Sequence, residues 1–219
     1  MYTYSEENYL KTIYELSNGG TTAVSTSSIA LSLEMKAPSV TEMLKKLSDK
    51  GLSIYEKYQG CRLTEKGLQQ AIYVVRKHRL WEVFLVKNLG MKWGEVHAIA
   101  EQLEHINSEL LIERLDEYLG YPKFDPHGEP IPDKYGNIVK SNRVRLSHLE
   151  TGKSAILKAV ASDTQEFLQY LDSENLQLGF TIKVLKVYTH DSSLKIEINH
   201  TTQTNISDKT ANNLLVEPI

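Results

Sequence analysis

Only three residues, Glu34-Met35-Lys36, separate two stretches that both read as helices, and that brevity constrains the chain more than any other feature. Residues 26–33 open on Thr and Ser, which suit a helix start, and carry a short apolar stripe. From Ala37 onward, Pro38 suits a first helical turn, Val40, Met43, Leu44 and Leu47 recur at helical spacing, and Gly51 stops the run. Two helices joined by so short a turn make a helix-turn-helix. Upstream, Tyr9, Leu10, Ile13, Tyr14 and Leu16 predict a helix over residues 5–17, capped by Ser5 and ended by Asn18-Gly19-Gly20. Downstream, residues 52–63 fold back about Tyr58-Gln59-Gly60 as a β-hairpin, and Thr64 caps a further helix. A hairpin that follows the second helix of the pair is the order of a winged helix.

The charge is unevenly spread. Residues 36–79 hold ten Lys/Arg against four acids, while residues 81–150 hold eight against twelve, although the whole chain is only −3. A basic segment attracts phosphates and an acidic one attracts cations. In a helix-turn-helix the second helix enters the major groove by its N-terminal residues. Here those are Lys36, Pro38, Ser39, Thr41, Glu42 and Lys45. Ser39 and Thr41 can donate to phosphates or bases, and Lys45 and Lys46 can neutralise phosphates. Thr26 and Ser28 on the preceding helix, with Lys57, Tyr58 and Arg62 on the hairpin, complete the expected DNA-facing set. The expected partner is double-stranded DNA.

Beyond the hairpin, one helix is predicted over residues 65–88 and another over 93–119, the second stopped by Gly120-Tyr121-Pro122. Residues 121–142 are rich in Pro, Gly, Asp and Asn and read as a linker. From Arg143 the pattern turns to short β-prone runs at residues 144–149, 154–160, 180–187 and 194–198, with one helix near 163–173, which predicts a small β-barrel. The expected architecture is mainly α with β. It comprises a winged helix-turn-helix over residues 1–64, a helical region with linker over 65–142 and the barrel over 143–219. A lone cysteine, Cys61, excludes an intrachain disulfide and fits a reducing cytosol. No apolar run of about 18 residues exists, and the first residues lack the basic and apolar regions of a secretory signal. The expectation is a cytoplasmic protein without a membrane partner.

The region 93–119 also holds His97, Glu101, Glu104 and His105, whose spacing sets all four on one stripe of a helix. Such a stripe is either a solvated face or a ligand set. On the preceding helix, His78 and Glu82 fall in a stripe with Ala71, Val75 and Leu85, where burial is expected. A buried imidazole and carboxylate require hydrogen bonds or a cation. Imidazole with carboxylate oxygen and no thiolate suits manganese(II), iron(II), zinc or cobalt, and disfavours copper(I). Neither a His-Glu-x-x-His sequence, nor a Gly-rich phosphate loop, nor a nucleophile elbow is present, so an enzyme is not expected, and a metallohydrolase is the remote alternative.

Several segments together carry a resemblance. They are Glu7-Asn-Tyr-Leu-Lys-Thr-Ile-Tyr-Glu-Leu16, Ala37-Pro-Ser-Val-Thr-Glu-Met-Leu44, Tyr55-Glu-Lys-Tyr-Gln-Gly60, Lys77-His-Arg-Leu-Trp-Glu82, Val96-His-Ala-Ile-Ala-Glu-Gln-Leu-Glu-His105, Glu113-Arg-Leu-Asp116 and Pro126-His-Gly128. Over essentially its whole length the chain resembles the diphtheria-toxin-repressor family of metal-dependent regulators, in particular its manganese-responsive branch. That resemblance implies a homodimer, a helical dimerisation and metal-binding region, a FeoA-like C-terminal barrel, and repression of metal-homeostasis genes through operator binding favoured by manganese(II) or iron(II). It also implies two metal positions. The first maps to Asn8, Glu101, Glu104 and His105, and the second to His78, Glu82, His97, Asp125, His127 and Asp163. Three positions depart from the family pattern. Asn8 stands where Asp or Met is usual, Lys11 where some manganese sensors carry Glu, and Asp125 where close relatives carry Cys. The Lys11 charge would repel a nearby metal. A constitutive DNA-binding protein with a purely structural metal site is the alternative.

Overall fold

The computed structural model describes residues 2–219. Helix α1 spans Tyr4–Leu16 and is capped by Thr3 rather than Ser5. The Glu6 amide donates to Thr3 Oγ1 (3.3 Å) and the Thr3 amide to Glu6 Oε2 (3.1 Å), a reciprocal box that satisfies two otherwise orphaned donors. Helix α2 spans Thr26–Ser32, capped by Ser25, and α3 spans Ala37–Asp49, with Pro38 in its first turn. Strands β1 (Ser53–Glu56) and β2 (Gly60–Leu63) pair antiparallel to form the wing. The wing is tied to the segment before α2 by two backbone bonds between Val24 and Cys61, of 2.9 and 2.8 Å. Gly60 is required there: its φ is +95°, and a Cβ would stand 2.5 Å from the Val24 carbonyl oxygen. Leu10, Ile13, Ile29, Val40, Leu44, Leu47 and Leu52 are fully buried in the core beneath, each contributing about 1.5–3 kcal/mol by burial.

Helix α4 runs Glu65–Leu89. The single helix expected over 93–119 is instead two, α5 (His97–Leu103) and α6 (Glu109–Tyr118). The interruption has a local cause. The Leu111 amide donates to Ser108 Oγ (3.3 Å), so Ser108 caps a new helix where the old one would have continued. Residues 93–95 form a turn instead, in which the Lys92 amide donates to Glu95 Oε2 (3.0 Å).

The C-terminal part holds β3 (Val144–Arg145), β4 (Ser154–Val160), α7 (Gln165–Ser173), β5 (Thr181–Val187), β6 (Leu194–Ile198), β7 (Thr202–Ile206), α8 (Asp208–Asn213) and β8 (Leu214–Pro218). These strands form one antiparallel sheet in the order β3-β8-β4-β5-β6-β7. The expected barrel is corrected here: among the described residues β7 and β3 do not pair, so the sheet is open. Its two ends explain this. The chain leaves β3 after two residues because Leu146 turns inward to full burial in a 3-10 turn, and β7 is a polar edge strand. Bulges in β4 and β5 bend the sheet without closing it. Inward residues of alternate strand positions, including Leu157, Ile182, Val184 and Ile196, form the second core with Leu168 and Leu171 of α7.

The chain divides into two compact units. One comprises the chain through His78 with Glu101–Glu113 and Pro132–Ile138; the other comprises Arg79–Ala100, Arg114–Ile131 and Val139–Ile219. Helices α4, α5 and α6 contribute residues to both.

Candidate functional site

In the first unit, α1, the middle of α4 and the turn after α5 bring buried ionisable side chains together. The expected stripe places Glu101 on α5, but Glu104 and His105 lie in the turn just beyond it, because α5 ends at Leu103. Glu104 is fully buried. The Lys11 ammonium donates to Glu101 Oε1 (2.5 Å) and Glu104 Oε2 (2.7 Å), and lies 3.1 Å from His78 Nδ1. His78 Nδ1 is also 2.6 Å from Glu104 Oε2, so that nitrogen can donate to Glu104 or accept from Lys11, not both at once. Burial opposes the Lys11 charge, but the Glu104 and Glu101 carboxylates outweigh it and hold the ammonium above the usual lysine range.

Two members of this cluster are not apparent from the sequence. The Glu7 carboxylate accepts from His105 Nδ1 (2.6 Å), which leaves His105 Nε2 with its lone pair. The fully buried Lys77 ammonium lies 3.6 Å from Glu7 Oε1 and 5.1 Å from the centre of the Tyr73 ring. Burial pushes Lys77 below the usual lysine range, although Glu7 and Glu104 resist that shift. Lys77 stands in the basic run Arg76-Lys77-His78-Arg79, which gives no apolar signal of burial, whereas Glu7 was marked by its place one turn before Lys11.

Three acceptors of this cluster, Asn8 Oδ1, Glu104 Oε1 and His105 Nε2, are buried without a hydrogen-bond partner. Orphaned acceptors of this kind are costly unless a cation or water meets them. An amide oxygen, a carboxylate oxygen and an imidazole nitrogen form a donor set for manganese(II), iron(II) or zinc. The residues therefore fit the metal that the resemblance implies for the first position.

A second cluster lies within the other unit. Glu82, Asp125 and His127 are all buried, and one ligand atom from each falls within 4.8 Å of the others. His127 Nε2–H donates to the Trp93 carbonyl (2.9 Å), so its Nδ1 is left facing Glu82 Oε2 at 3.6 Å. Asp125 Oδ1 accepts from the His127 and Glu129 amides (2.8 and 2.9 Å), an Asx turn that fixes the Pro-His-Gly segment. Gly128 is needed in that turn: its φ is +84°, and a Cβ would stand 2.1 Å from the Lys158 carbonyl oxygen. Burial and the Glu82 charge push the Asp125 carboxyl up to about 7. Burial lowers the His127 imidazole, but the hydrogen bond and charge of Glu82 win and raise it to about 9. Two buried carboxyls that repel each other are a further mark of a cation site. His97 Nδ1 stands 3.6 Å from Glu82 Oε1 and 3.4 Å from Asp163 Oδ2, and both His97 and Asp163 are about half exposed. His78, assigned by resemblance to the second position, is found against Glu104 and Lys11 in the first unit.

The DNA-facing set is displayed on α2, α3 and the wing. Ser28, Lys36, Pro38, Ser39, Glu42, Lys45, Lys57, Tyr58 and Arg62 are exposed, and Thr26 and Thr41 are half-buried. Thr41 Oγ1 donates to the Ala37 carbonyl (3.0 Å), so its oxygen remains only as an acceptor. Lys46 is engaged elsewhere, 2.9 Å from the buried Glu6 carboxylate, which Lys50 also holds at 2.7 Å.

A winged helix-turn-helix whose first helix carries part of a buried carboxylate–imidazole cluster defines a DNA-binding regulator built on a cation-binding core. Residues 1–61 match the family model of the iron dependent repressor N-terminal DNA binding domain. Residues 64–133 match that of its metal binding and dimerisation domain, and 144–218 match the FeoA domain. The iron-dependent repressor IdeR of Mycobacterium leprae is 37% identical over 153 residues, which cover 67% of this chain and 66% of that repressor. A solved manganese-dependent transcriptional repressor in complex with manganese superposes with a TM-score of 0.88 at 30% identity, covering 98% of this chain and 100% of the other. ScaR with bound zinc gives a TM-score of 0.80 at 38% identity over 98% and 99% of the two chains. The chain belongs to the family of iron- and manganese-dependent transcriptional repressors that includes the diphtheria toxin repressors. No helix among the described residues is long and apolar enough to cross a membrane.

Proposed function

We propose that the chain is a cytoplasmic, homodimeric repressor, without enzymatic activity, that binds operator DNA through α3 and the wing when a divalent cation, manganese(II) or iron(II), occupies the first cluster. The observation that carries the reading is the trio of buried, unpartnered acceptors, Asn8 Oδ1, Glu104 Oε1 and His105 Nε2. Asn8, Glu101, Glu104 and His105 would hold the ion, which when bound supplies charge neutralisation and a rigid link between α1 and the turn after α5. Glu7 orients the His105 ring, and α1 in turn packs on the core that carries α2 and α3. Glu82, Asp125 and His127, with His97 and Asp163 at the edge, would hold a second ion in the other unit. Zinc or cobalt would serve as substitutes at either position. The exposed Leu110 and Leu111 of α6 supply apolar surface for a second copy. Working modules of residues 1–64, 65–142 and 143–219 suit this division of labour.

One observation favours a second reading, in which DNA binding is constitutive and metal is structural: the Lys11 ammonium already joins α1 to Glu101 and Glu104. Duplexes selected from a random library against manganese-loaded protein separate the two. Their affinity at fixed salt should fall at least tenfold when the metal is chelated. Equal affinity with and without metal refutes the metal-responsive reading and leaves the constitutive one.

A further inference from the structure

We propose that Glu6 is a specificity-determining residue: its carboxylate takes the place of a DNA phosphate, holds two lysines at the end of α3 back from the duplex, and so lowers affinity for DNA of any sequence. The inference rests on the reading of α3 as the helix that meets DNA. Glu6 lies on α1 and is fully buried, whereas Lys46 is in the last turn of α3 and Lys50 caps that helix. Glu6 Oε1 accepts from Lys50 Nζ (2.7 Å) and lies 2.9 Å from Lys46 Nζ. Glu6 Oε2 accepts from the Thr3 amide (3.1 Å), and the Glu6 amide donates back to Thr3 Oγ1 (3.3 Å), so the carboxylate is fixed at both oxygens. One fixed anionic oxygen shared by two ammoniums is the arrangement that a backbone phosphate offers.

The two lysines stand where DNA would otherwise claim them. Lys46 follows Ser39 and Glu42 at seven and four residues, so it shares their stripe on α3, and both of those side chains are exposed. Lys46 and Lys50 are themselves 50% and 41% exposed, with the buried acid on one side and solvent on the other. A lysine stem is flexible enough to swing from one acceptor to another. What holds these two is that departure would leave a buried carboxylate without a counter-charge. Non-specific binding comes almost entirely from phosphate neutralisation, whereas base contacts carry the sequence information. Withholding two cations therefore weakens binding to every duplex alike and leaves base contacts from Ser39 to set the preference among them.

The test is the salt dependence of binding to a duplex of scrambled sequence, followed by fluorescence anisotropy with the full chain at one fixed, low manganese(II) concentration. Glu6→Gln releases both lysines, so the slope of log affinity against log salt should steepen by up to about 1.8, two phosphate contacts at about 0.9 each. Over a fourfold rise in salt that is about a twelvefold greater loss of affinity. Lys46→Met and Lys50→Met, made singly so that Glu6 keeps one partner, should each leave the parent slope unchanged. Glu65→Gln, which removes an exposed acid from the same unit, should steepen it far less than Glu6→Gln. An unchanged slope in a Glu6→Gln protein that is folded by circular dichroism, or equal steepening in Glu65→Gln, would overturn the inference. A slope shallower by about 0.9 in either lysine variant would also overturn it, because that lysine would already be on a phosphate, and this arm does not depend on Glu6→Gln folding. In each of those cases the DNA-binding reading stands; a parent protein that binds no duplex at low salt would overturn both.

Discussion

The Lys11–Glu104 pair should be one of the strongest polar couplings in the chain when metal is absent. The two groups are 2.7 Å apart with side-chain exposures of 7% and 0%, so water screens neither. Breaking a buried ion pair from one side leaves an uncompensated charge and costs about 3–5 kcal/mol. Glu104→Gln should sit near the lower end, about 3 kcal/mol, because Lys11 keeps Glu101 at 2.5 Å. Lys11→Met should cost a similar amount, because it leaves the fully buried Glu104 with only the imidazoles of His78 and His105 in close contact. The double variant removes both charges and should cost little more than either single change, giving a coupling energy of about 3 kcal/mol. The assay is urea unfolding of the full chain in chelator, followed by circular dichroism at neutral pH. Lys11 is charged there in both folded and unfolded chains, since its folded value lies above an ordinary value of 10.5, so titration does not confound the cycle. A coupling energy of about 0.5 kcal/mol or less, the worth of an exposed pair, would refute the reasoning.

Three further outcomes follow from named contacts. The buried Glu6 carboxyl is raised by burial but held down at about 2 by Lys50, Lys46 and the Thr3 amide, so its contribution is present above pH 4.5 and lost as pH falls toward 2. Because Lys46 and Lys50 are 50% and 41% exposed, solvent screening limits that contribution to about 1–2 kcal/mol. The parent protein should lose that much more stability than Glu6→Gln between pH 5 and 2, and parallel acid melting curves would count against it. Gly60→Ala should cost about 2–3 kcal/mol, because the added methyl meets the Val24 carbonyl at a positive φ. Hydrogen exchange at Val24 and Cys61 should accelerate, and unchanged protection there would show that the wing is not held as described. Lys45→Ala should lower the slope of log affinity against log salt by about 0.9, the value of one phosphate contact; an unchanged slope removes Lys45 from the DNA face.

The winged helix was legible because each of its parts has a local cause. Pro38 sets the start of α3, Gly51 its end, and Gly60 the return of the wing. Strands β4 and β6 begin and end where their apolar alternation does. Periodicity misled where it continued through a change of structure. Val96, Ile99, Leu103, Ile106 and Leu110 keep helical spacing across the gap between α5 and α6, yet Ser108 restarts the helix, and Ile106 and Leu110 emerge 37% and 67% exposed. Barrel closure was illegible for a different reason: it depends on whether two edge strands meet, which no strand's own pattern encodes. Residues 202–206, Thr-Gln-Thr-Asn-Ile, carry a single apolar side chain, so β7 gave no strand signal at all.

Lys11 shows the limit of reading charge by type. Taken alone, a lysine beside metal ligands repels a metal, and that argument is sound as electrostatics. It omits that the same ligands attract the lysine. Once Glu101 and Glu104 are brought to α1, the ammonium becomes their nearest counter-charge and is stabilised rather than expelled. The departure at Asn8 then reads differently too. A neutral amide in place of a carboxylate weakens its own hold on a cation. In a cluster that already contains two ammoniums, however, Glu7, Glu101 and Glu104 leave a net charge of −1, which one divalent ion would reverse to +1. Asn8 contributes an oxygen without adding to the repulsion among acids when that ion is absent. Asn8 and Lys11 lie one helical turn apart on α1, the first offering a neutral oxygen and the second a charge already paired with Glu101 and Glu104.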